Sequence, residues 1–380
     1  IKCIYIDPPY NTGNEGWVYN DNVNDPKIKK WLGEVVGKEG EDLTRHDKWL
    51  CMMYPRLKLL QKLLANDGII FISIDDTECS NLILICNEIF GASNFVANVS
   101  WQRTYSPRND SKGIVSEVEH LVVFSKNPGW QPNKLPRTEA MDSRYKNPDN
   151  DVAPWKSSDA FAPGAATHQG MVYAIQHPFT GEMLYPSNGR CWRYQQSSML
   201  EYMQGWCNYR LENLHDEKER ARVCGIDESA VRKDVLAIVL EEPLEVSAAK
   251  AQKVYNRGRW PGFYFTKGGY GGIARKTYLE NVGGRLPTNL WMYEETGHTD
   301  EAKKELISLF GGRSPFDTPK PTRLLDFVLK VAGTSETLML DSFAGSGTTA
   351  HAVLNANKAD NGNRHFILIE MMDYADSITA

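Results

Sequence analysis

Leu338-Met339-Leu340-Asp341-Ser342-Phe343-Ala344-Gly345-Ser346-Gly347-Thr348-Thr349-Ala350 is the stretch on which the fold turns. A short run of strand character enters a glycine-rich loop, and Thr348 to Asn355 then reads as a helix. Glycines at 345 and 347 remove the Cβ atoms that would hold a ligand away from the backbone, and the helix start supplies free N–H groups. A further strand begins at Phe366 and ends in Glu370, 23 residues after Gly347. An acidic residue so placed binds ribose hydroxyls in nucleotide-binding βαβ units. Alone, Gly345-x-Gly347-x-x-Ala350 also satisfies the loose dinucleotide pattern, so a nicotinamide or flavin oxidoreductase stays open. No G-K-[ST] follows, which excludes a triphosphatase phosphate loop.

More than 300 residues upstream, the strand Ile4 to Ile6 runs directly into Asp7-Pro8-Pro9-Tyr10. Ligands of open α/β sheets bind at such strand ends. The two prolines lack backbone donors, which leaves the Pro8 carbonyl as an acceptor beside the Asp7 carboxylate. Two converging acceptors suit an exocyclic amino group, and the Tyr10 ring offers a face for a flipped base. The plain structural alternative is that Pro-Pro ends a strand and Asp7 caps a turn; Asn11, Thr12 and Gly13 extend that turn.

Between these motifs the chain alternates strand and helix up to about residue 129: Lys48 to Leu64, Gly68 to Ile74 and Asp76 to Phe90. Two strand-like runs follow, Phe95 to Trp101 and Glu119 to Lys126, read as an antiparallel edge hairpin. Residues 130–312 lose that rhythm, are rich in Gly, Pro and Trp, and include a charged helical stretch from Asn208 to Ala221. Alternation returns over 313–380. The expected fold is therefore an α/β sheet domain in two halves, 1–129 and 313–380, around an inserted α+β domain, 130–312.

Composition narrows the class of protein. With 41% hydrophobic and 24% charged residues, the 380-residue chain has an ordinary globular make-up, which excludes disordered and fibrous types. No run approaches the roughly 18 apolar residues of a membrane helix, and no signal peptide opens the chain. Seven cysteines without a C-x-x-C pair suggest neither disulfides nor zinc but reduced thiols in a cytoplasm. His46, His120 and His298 have no ligand spacing, so no metal is expected. Ile1 lies inside a strand pattern without an initiator Met, and the end at Ala380 has no obvious stop; a fragment cut at both ends is expected.

The net charge of −5 excludes binding to nucleic acid by bulk positive charge. Any such surface must be local. Residues 251–286 hold seven basic side chains against one acidic, Glu280, together with seven aromatics. Arg257, Arg259, Lys267, Arg275 and Lys276 are the candidate DNA contacts in it, able to set phosphate register and to read guanine. The alternative is a small aromatic core with a solvated basic face. Arg103, Arg108 and Lys112, in the hairpin loop, form a second basic patch.

Together, Asp7-Pro8-Pro9-Tyr10 and Phe343-Ala344-Gly345-Ser346-Gly347 resemble the two signature motifs of S-adenosylmethionine-dependent amino-group DNA methyltransferases. The catalytic motif precedes the cofactor motif, as in the β class, a circular permutation of the Rossmann-like fold. Asp7 to Asn14, Gly68 to Asp76, Gly297-His298-Thr299 and Phe316-Asp317-Thr318-Pro319-Lys320-Pro321 further resemble the modification (Mod) subunit of type III restriction-modification systems. The resemblance implies methyl transfer to N6 of a flipped adenine in double-stranded DNA, Asp at the first motif position favouring adenine over cytosine N4. By it, Asp7, Pro8, Pro9 and Tyr10 are catalytic. Asp341, Phe343, Ala344, Gly345, Ser346, Gly347, Glu370, Lys320 and Thr318 surround the cofactor, and the inserted domain recognises the target. Ser342 departs from the family pattern, where a proline or large residue is usual. The resemblance further implies a homodimer, a helicase-nuclease restriction partner and a bacterial cytoplasm. The alternatives are a cytosine-N4 enzyme on the same fold, a non-catalytic recognition subunit and, last, the oxidoreductase.

Overall fold

The computed structural model describes residues 1–12, 45–106 and 113–380. These form two compact units: Ile1–Leu135 with Arg285–Ala380, and Pro136–Gly284. The first contains strands β1 (Cys3–Ile6), β2 (Ile69–Ile74), β3 (Phe95–Gln102), β4 (Val118–Ser125), β5 (Leu290–Trp291), β6 (Leu338–Asp341) and β7 (His365–Leu368). Its main helices are α1 (Arg45–Leu63), α2 (Cys79–Phe90), α3 (Thr299–Leu309), α4 (Thr322–Ala332) and α5 (Thr348–Asp360).

The strands join in one sheet of order β5-β3-β4-β2-β1-β6-β7. β1 lies parallel to both neighbours, with Cys3 opposite Ile69 and Met339. Because side chains alternate across a strand, Ile4 and Ile6 pack with Trp49, Met53 and Leu57 of α1 and Leu82 of α2. Cys3 and Tyr5 pack on the other face with Leu324, Leu325 and Val328 of α4 and Ala352 and Val353 of α5. Covered on both faces, the central strands read as nearly unbroken apolar runs. The one polar side chain in β2, Ser73, is buried and bonds the Tyr5 hydroxyl at 2.7 Å.

Topology places the site. From β1 the chain passes through α1 to β2 on one side; from β6 it passes through α5 to β7 on the other. Connections leaving adjacent parallel strands in opposite directions open a crevice at their carboxyl ends. Asp7 and the glycine loop therefore share one edge of the sheet.

Three expectations are corrected. The β3–β4 pair is antiparallel but is not an edge hairpin, since β5 pairs parallel outside β3, Leu290 against Ser100. The second half of the sheet unit accordingly starts at Arg285, not at 313, and the insertion begins at Pro136, not at 130. The Trp101 indole donating to the Gly297 carbonyl (3.1 Å) and Thr299 N–H donating to the Arg103 carbonyl (3.0 Å) bind 297–299 to the sheet unit. The stretch from Asn208 is a strand, Tyr209–Glu212, before a helix, Glu217–Cys224, because residues 209–212 pair antiparallel with the buried strand Ala237–Leu240 and Tyr209 enters the core.

The second unit is α+β. A four-stranded sheet runs Tyr209–Glu212, Ala237–Leu240, Ile175–Gln176, Met183–Leu184, and a three-stranded one Phe263–Phe265, Ile273–Tyr278, Trp155–Asp159. Its core is aromatic, with Trp155, Tyr173, Trp192, Trp206, Phe263 and Phe265 buried together. Within it lies a charge: the Lys276 ammonium, wholly buried, meets Asp149 at 2.5 Å, Asp151, the Trp260 carbonyl at 2.8 Å and the Trp155 ring face at 4.9 Å. Removing one partner of a buried pair strands the other. Lys276→Ala is therefore expected to destabilise this unit by about 3–5 kcal/mol, read as a lowered melting transition; an unchanged transition would show the pair to be dispensable.

Candidate active site

The turn after β1 is held by its neighbours. The buried Trp49 indole donates to the Pro9 carbonyl at 2.7 Å. Asn11, at φ 60° and fully buried, donates to Glu78 at 2.5 Å, and Glu78 also meets His46 at 2.7 Å and Asn81 at 2.8 Å. With Pro9 engaged, the Pro8 carbonyl is the acceptor that no donor fills among the described residues.

Asp7 and Tyr10 meet two further charged side chains. Lys320 donates to both Asp7 oxygens at 2.8 Å and to the Tyr10 hydroxyl at 2.8 Å, its ammonium 4.9 Å from the Tyr10 ring centre. The Tyr10 hydroxyl lies 3.0 Å from Asp7 Oδ1 and 3.0 Å from Glu119 Oε2. Glu119, on β4, is 3.5 Å from the Lys320 ammonium and accepts from Arg103 at 3.2 Å. Burial pushes the Asp7 carboxyl up, against the opposing pull of Lys320. Burial works against the Lys320 charge, but the carboxylates of Asp7 and Glu119 outweigh it and raise its proton affinity above the usual lysine range.

Beside this cluster lies the glycine loop. Gly345 and Gly347 have φ +49° and +78°; an added Cβ would stand 3.1 Å from the Phe316 ring at the first and 2.8 Å from the Thr379 carbonyl at the second. Asp341, at the end of β6, accepts from Phe343 N–H at 3.0 Å and from the Thr349 hydroxyl at 2.6 Å, and burial pushes its carboxyl up to about 7. Glu370 accepts from Gly345 N–H at 2.9 Å and from the N–H groups of Met371 and Met372. A cavity of about 30 Å³ is lined by Asp7, Phe316, Thr318, Lys320, Asp341 and residues 343–346, among others. A second, of about 330 Å³, shares Pro319, Lys320, Ser346 and Thr348 with it.

The sheet thus brings Asp7, Pro8, Pro9, Tyr10, Thr318, Lys320, Asp341, the glycine loop and Glu370 to one edge. Lys320, expected at the cofactor, lines that cavity and also ties the region to Asp7. Glu119 went unnoticed in the sequence, where an acidic residue inside a strand pattern carries no signal of its own. Arg103 pairs with Glu119, while Arg108, Lys112, Gly13 and Asn14 lie outside the described residues. In the second unit Arg257, Arg259 and Lys267 are exposed and Arg275 is half-buried. Lys276 is corrected from a DNA contact to a buried structural cation. Of the seven aromatics in 251–286, Phe263, Tyr264 and Phe265 are core, Trp260 stacks on Tyr255 at 4.8 Å, Tyr278 is half-buried and donates to Asp151 at 2.6 Å, and Tyr270 is well exposed.

Among the described residues no helix is long and apolar enough to cross a membrane, and no group of three or more His, Cys, Asp or Glu is placed to hold a metal ion.

Known proteins bear on this geometry. The chain is similar to the Mod subunit of the type III restriction-modification enzyme StyLTI of Salmonella typhimurium, 32% identical over 380 residues, covering 97% of this chain and 48% of that protein. It is similar to the EcoP15I Mod subunit of Escherichia coli, 27% identical, with 98% and 55% covered. It is also similar to the type II methyltransferase M.KpnI of Klebsiella pneumoniae, 28% identical, with 97% and 75% covered. The chain spans about half the length of the Mod subunits it matches. A sequence model of the N6/N4 methyltransferases, described as DNA methylase, matches residues 1–379. That match takes in both motif strands and the insertion between them, and the chain belongs to the DNA methylase family.

Proposed function

We propose that this chain carries the methyl-transferring part of an adenine-N6 DNA methyltransferase that acts as the modification subunit of a type III restriction-modification system. The observation that carries the reading is that Asp7, at the end of β1, lines one cavity with the glycine loop, while the carbonyl of the next residue, Pro8, accepts from no donor among the described residues. An exocyclic amino group has two N–H bonds; the two acceptors hold both and turn the nitrogen lone pair outward. Tyr10 supplies the stacking face.

The residues at β6 and β7 fit S-adenosylmethionine. Glu370 presents a carboxylate for ribose hydroxyls, and the backbone at both glycines, at positive φ and closely approached by Phe316 and Thr379, leaves no room for a side chain. When bound, the cofactor supplies an electrophilic methyl on a sulfonium. Asp341 and Glu370 hold the loop, and Asp7 and Pro8 orient the amino group toward it. Phe316 and the Thr379 carbonyl lie against the two glycines and must yield to admit a nucleoside.

Residues 136–284 are the target-recognition domain of this proposal, with Arg257, Arg259 and Lys267 as its exposed cations. Changing these three to Ala is expected to lower DNA affinity and to reduce the slope of log affinity against log salt by about 2–3, read by fluorescence anisotropy at several salt concentrations. An unchanged slope moves the surface elsewhere. The homodimer and the restriction partner implied by the resemblance complete the proposal.

The test is incubation with S-adenosylmethionine and unmethylated plasmid DNA, digestion to nucleosides and mass spectrometry. N6-methyldeoxyadenosine supports the reading, N4-methyldeoxycytidine overturns the base, and no product from the full-length protein overturns the activity.

A further inference from the structure

We propose that Glu119 is a positioning residue of the base site, the alternate partner that takes the Lys320 ammonium away from Asp7 when an amino group arrives. This rests on the function proposed above and adds to it a residue that neither motif contains.

The argument begins with what Asp7 must do. Its carboxylate is to accept a hydrogen bond from an amino group whose nitrogen becomes positive as it attacks a methyl. An anion beside that nitrogen favours the change, whereas an ammonium on the same carboxylate opposes it. In the structure Lys320 sits on both Asp7 oxygens at 2.8 Å, and Tyr10 adds a contact to Oδ1. The arrangement therefore shows Asp7 shielded by a cation.

A second carboxylate lies within reach of the same cation. Glu119 Oε2 is 3.5 Å from the Lys320 ammonium, so a small side-chain rotation suffices to exchange partners. Glu119 is 7% exposed and is tied through its other oxygen to Arg103 at 3.2 Å, which fixes it in place.

Tyr10 couples the two positions. Its hydroxyl has one hydrogen but stands 3.0 Å from both Asp7 and Glu119, so it donates to one at a time. With the ammonium on Asp7, the hydroxyl hydrogen turns to Glu119. With the ammonium on Glu119, it turns to Asp7, so that a neutral donor replaces the cationic one on that carboxylate. The cluster has two hydrogen-bonded arrangements, and an incoming amino group selects the second.

The test is a double-mutant cycle in the full-length protein, with plasmid DNA and S-adenosylmethionine at saturation, following kcat and the KM for the cofactor. Glu119→Gln keeps the shape and the hydrogen bond to Tyr10 but removes the charge; it is expected to lower kcat about tenfold or more while KM for the cofactor changes less than about threefold. Glu119→Asp restores most of the loss. In a Lys320→Met background there is no ammonium to receive, so Glu119→Gln has no further effect on kcat. Thermal melting of each variant separates folding from function. Additive losses in the cycle, or a Glu119→Gln loss that tracks a lowered melting temperature, overturn the role of Glu119 while wild-type turnover stands. Wild-type protein that forms no methylated base overturns the proposed function itself.

Discussion

Asp7→Ala abolishes methyl transfer, with kcat falling by about a thousandfold or more, while affinity for S-adenosylmethionine by calorimetry stays within about threefold. The two effects separate because the aspartate serves the base side of the crevice. Without it the amino group keeps only the Pro8 carbonyl, its orientation is lost, and no anion stands beside the nitrogen as it gains positive charge. Folding should survive, since Lys320 retains Tyr10 and Glu119 and the turn retains its Trp49 and Glu78 contacts. Near-normal turnover in this variant would remove the residue from the chemistry. Lost cofactor binding would instead show that Asp7 holds the cofactor side together through Lys320.

Gly347→Val eliminates measurable cofactor binding, a loss of about a hundredfold or more in affinity. Two physical causes act together. The backbone at φ +78° suits glycine and costs a β-branched residue about 1–3 kcal/mol. The new Cβ also meets the Thr379 carbonyl at 2.8 Å, at the first residue before α5. Gly311→Val is the control: it has φ +63° and nothing near its absent Cβ, so it carries the strain without the occlusion. Calorimetry on both variants, with melting curves, separates the causes. Equal affinity in Gly347→Val and the wild type would move the cofactor away from this loop.

Both predictions attach to motifs visible in the sequence because local rules wrote them. A strand, a glycine-rich turn and a helix start are set by short-range sterics and hydrogen bonding, so residues 338–350 announced their conformation without reference to the rest of the chain. Asp7 to Tyr10 did the same, proline geometry following from the ring itself. The aromatic, basic stretch at 251–286 was recognisable as a composition, but composition does not sort surface from interior. Lys276 and Arg257 look alike in the sequence, and only the strand alternation of Ile273–Tyr278 against a core of Trp155 and Phe263 buries the first and leaves the second exposed.

What the sequence determined by itself is the α/β character of the two ends, the interruption between them, and the pair of motifs that assigns the family. The tertiary structure alone decided that a two-residue strand at Leu290–Trp291 extends the sheet, since so short a run carries no periodicity. It alone decided that Lys320 and Glu119 meet at Asp7. Those three residues are separated by more than 100 positions in each step along the chain, and no local preference links them. Sheet order places β4, β1 and the segment before α4 at one edge, and the attraction of two carboxylates for one buried ammonium does the rest.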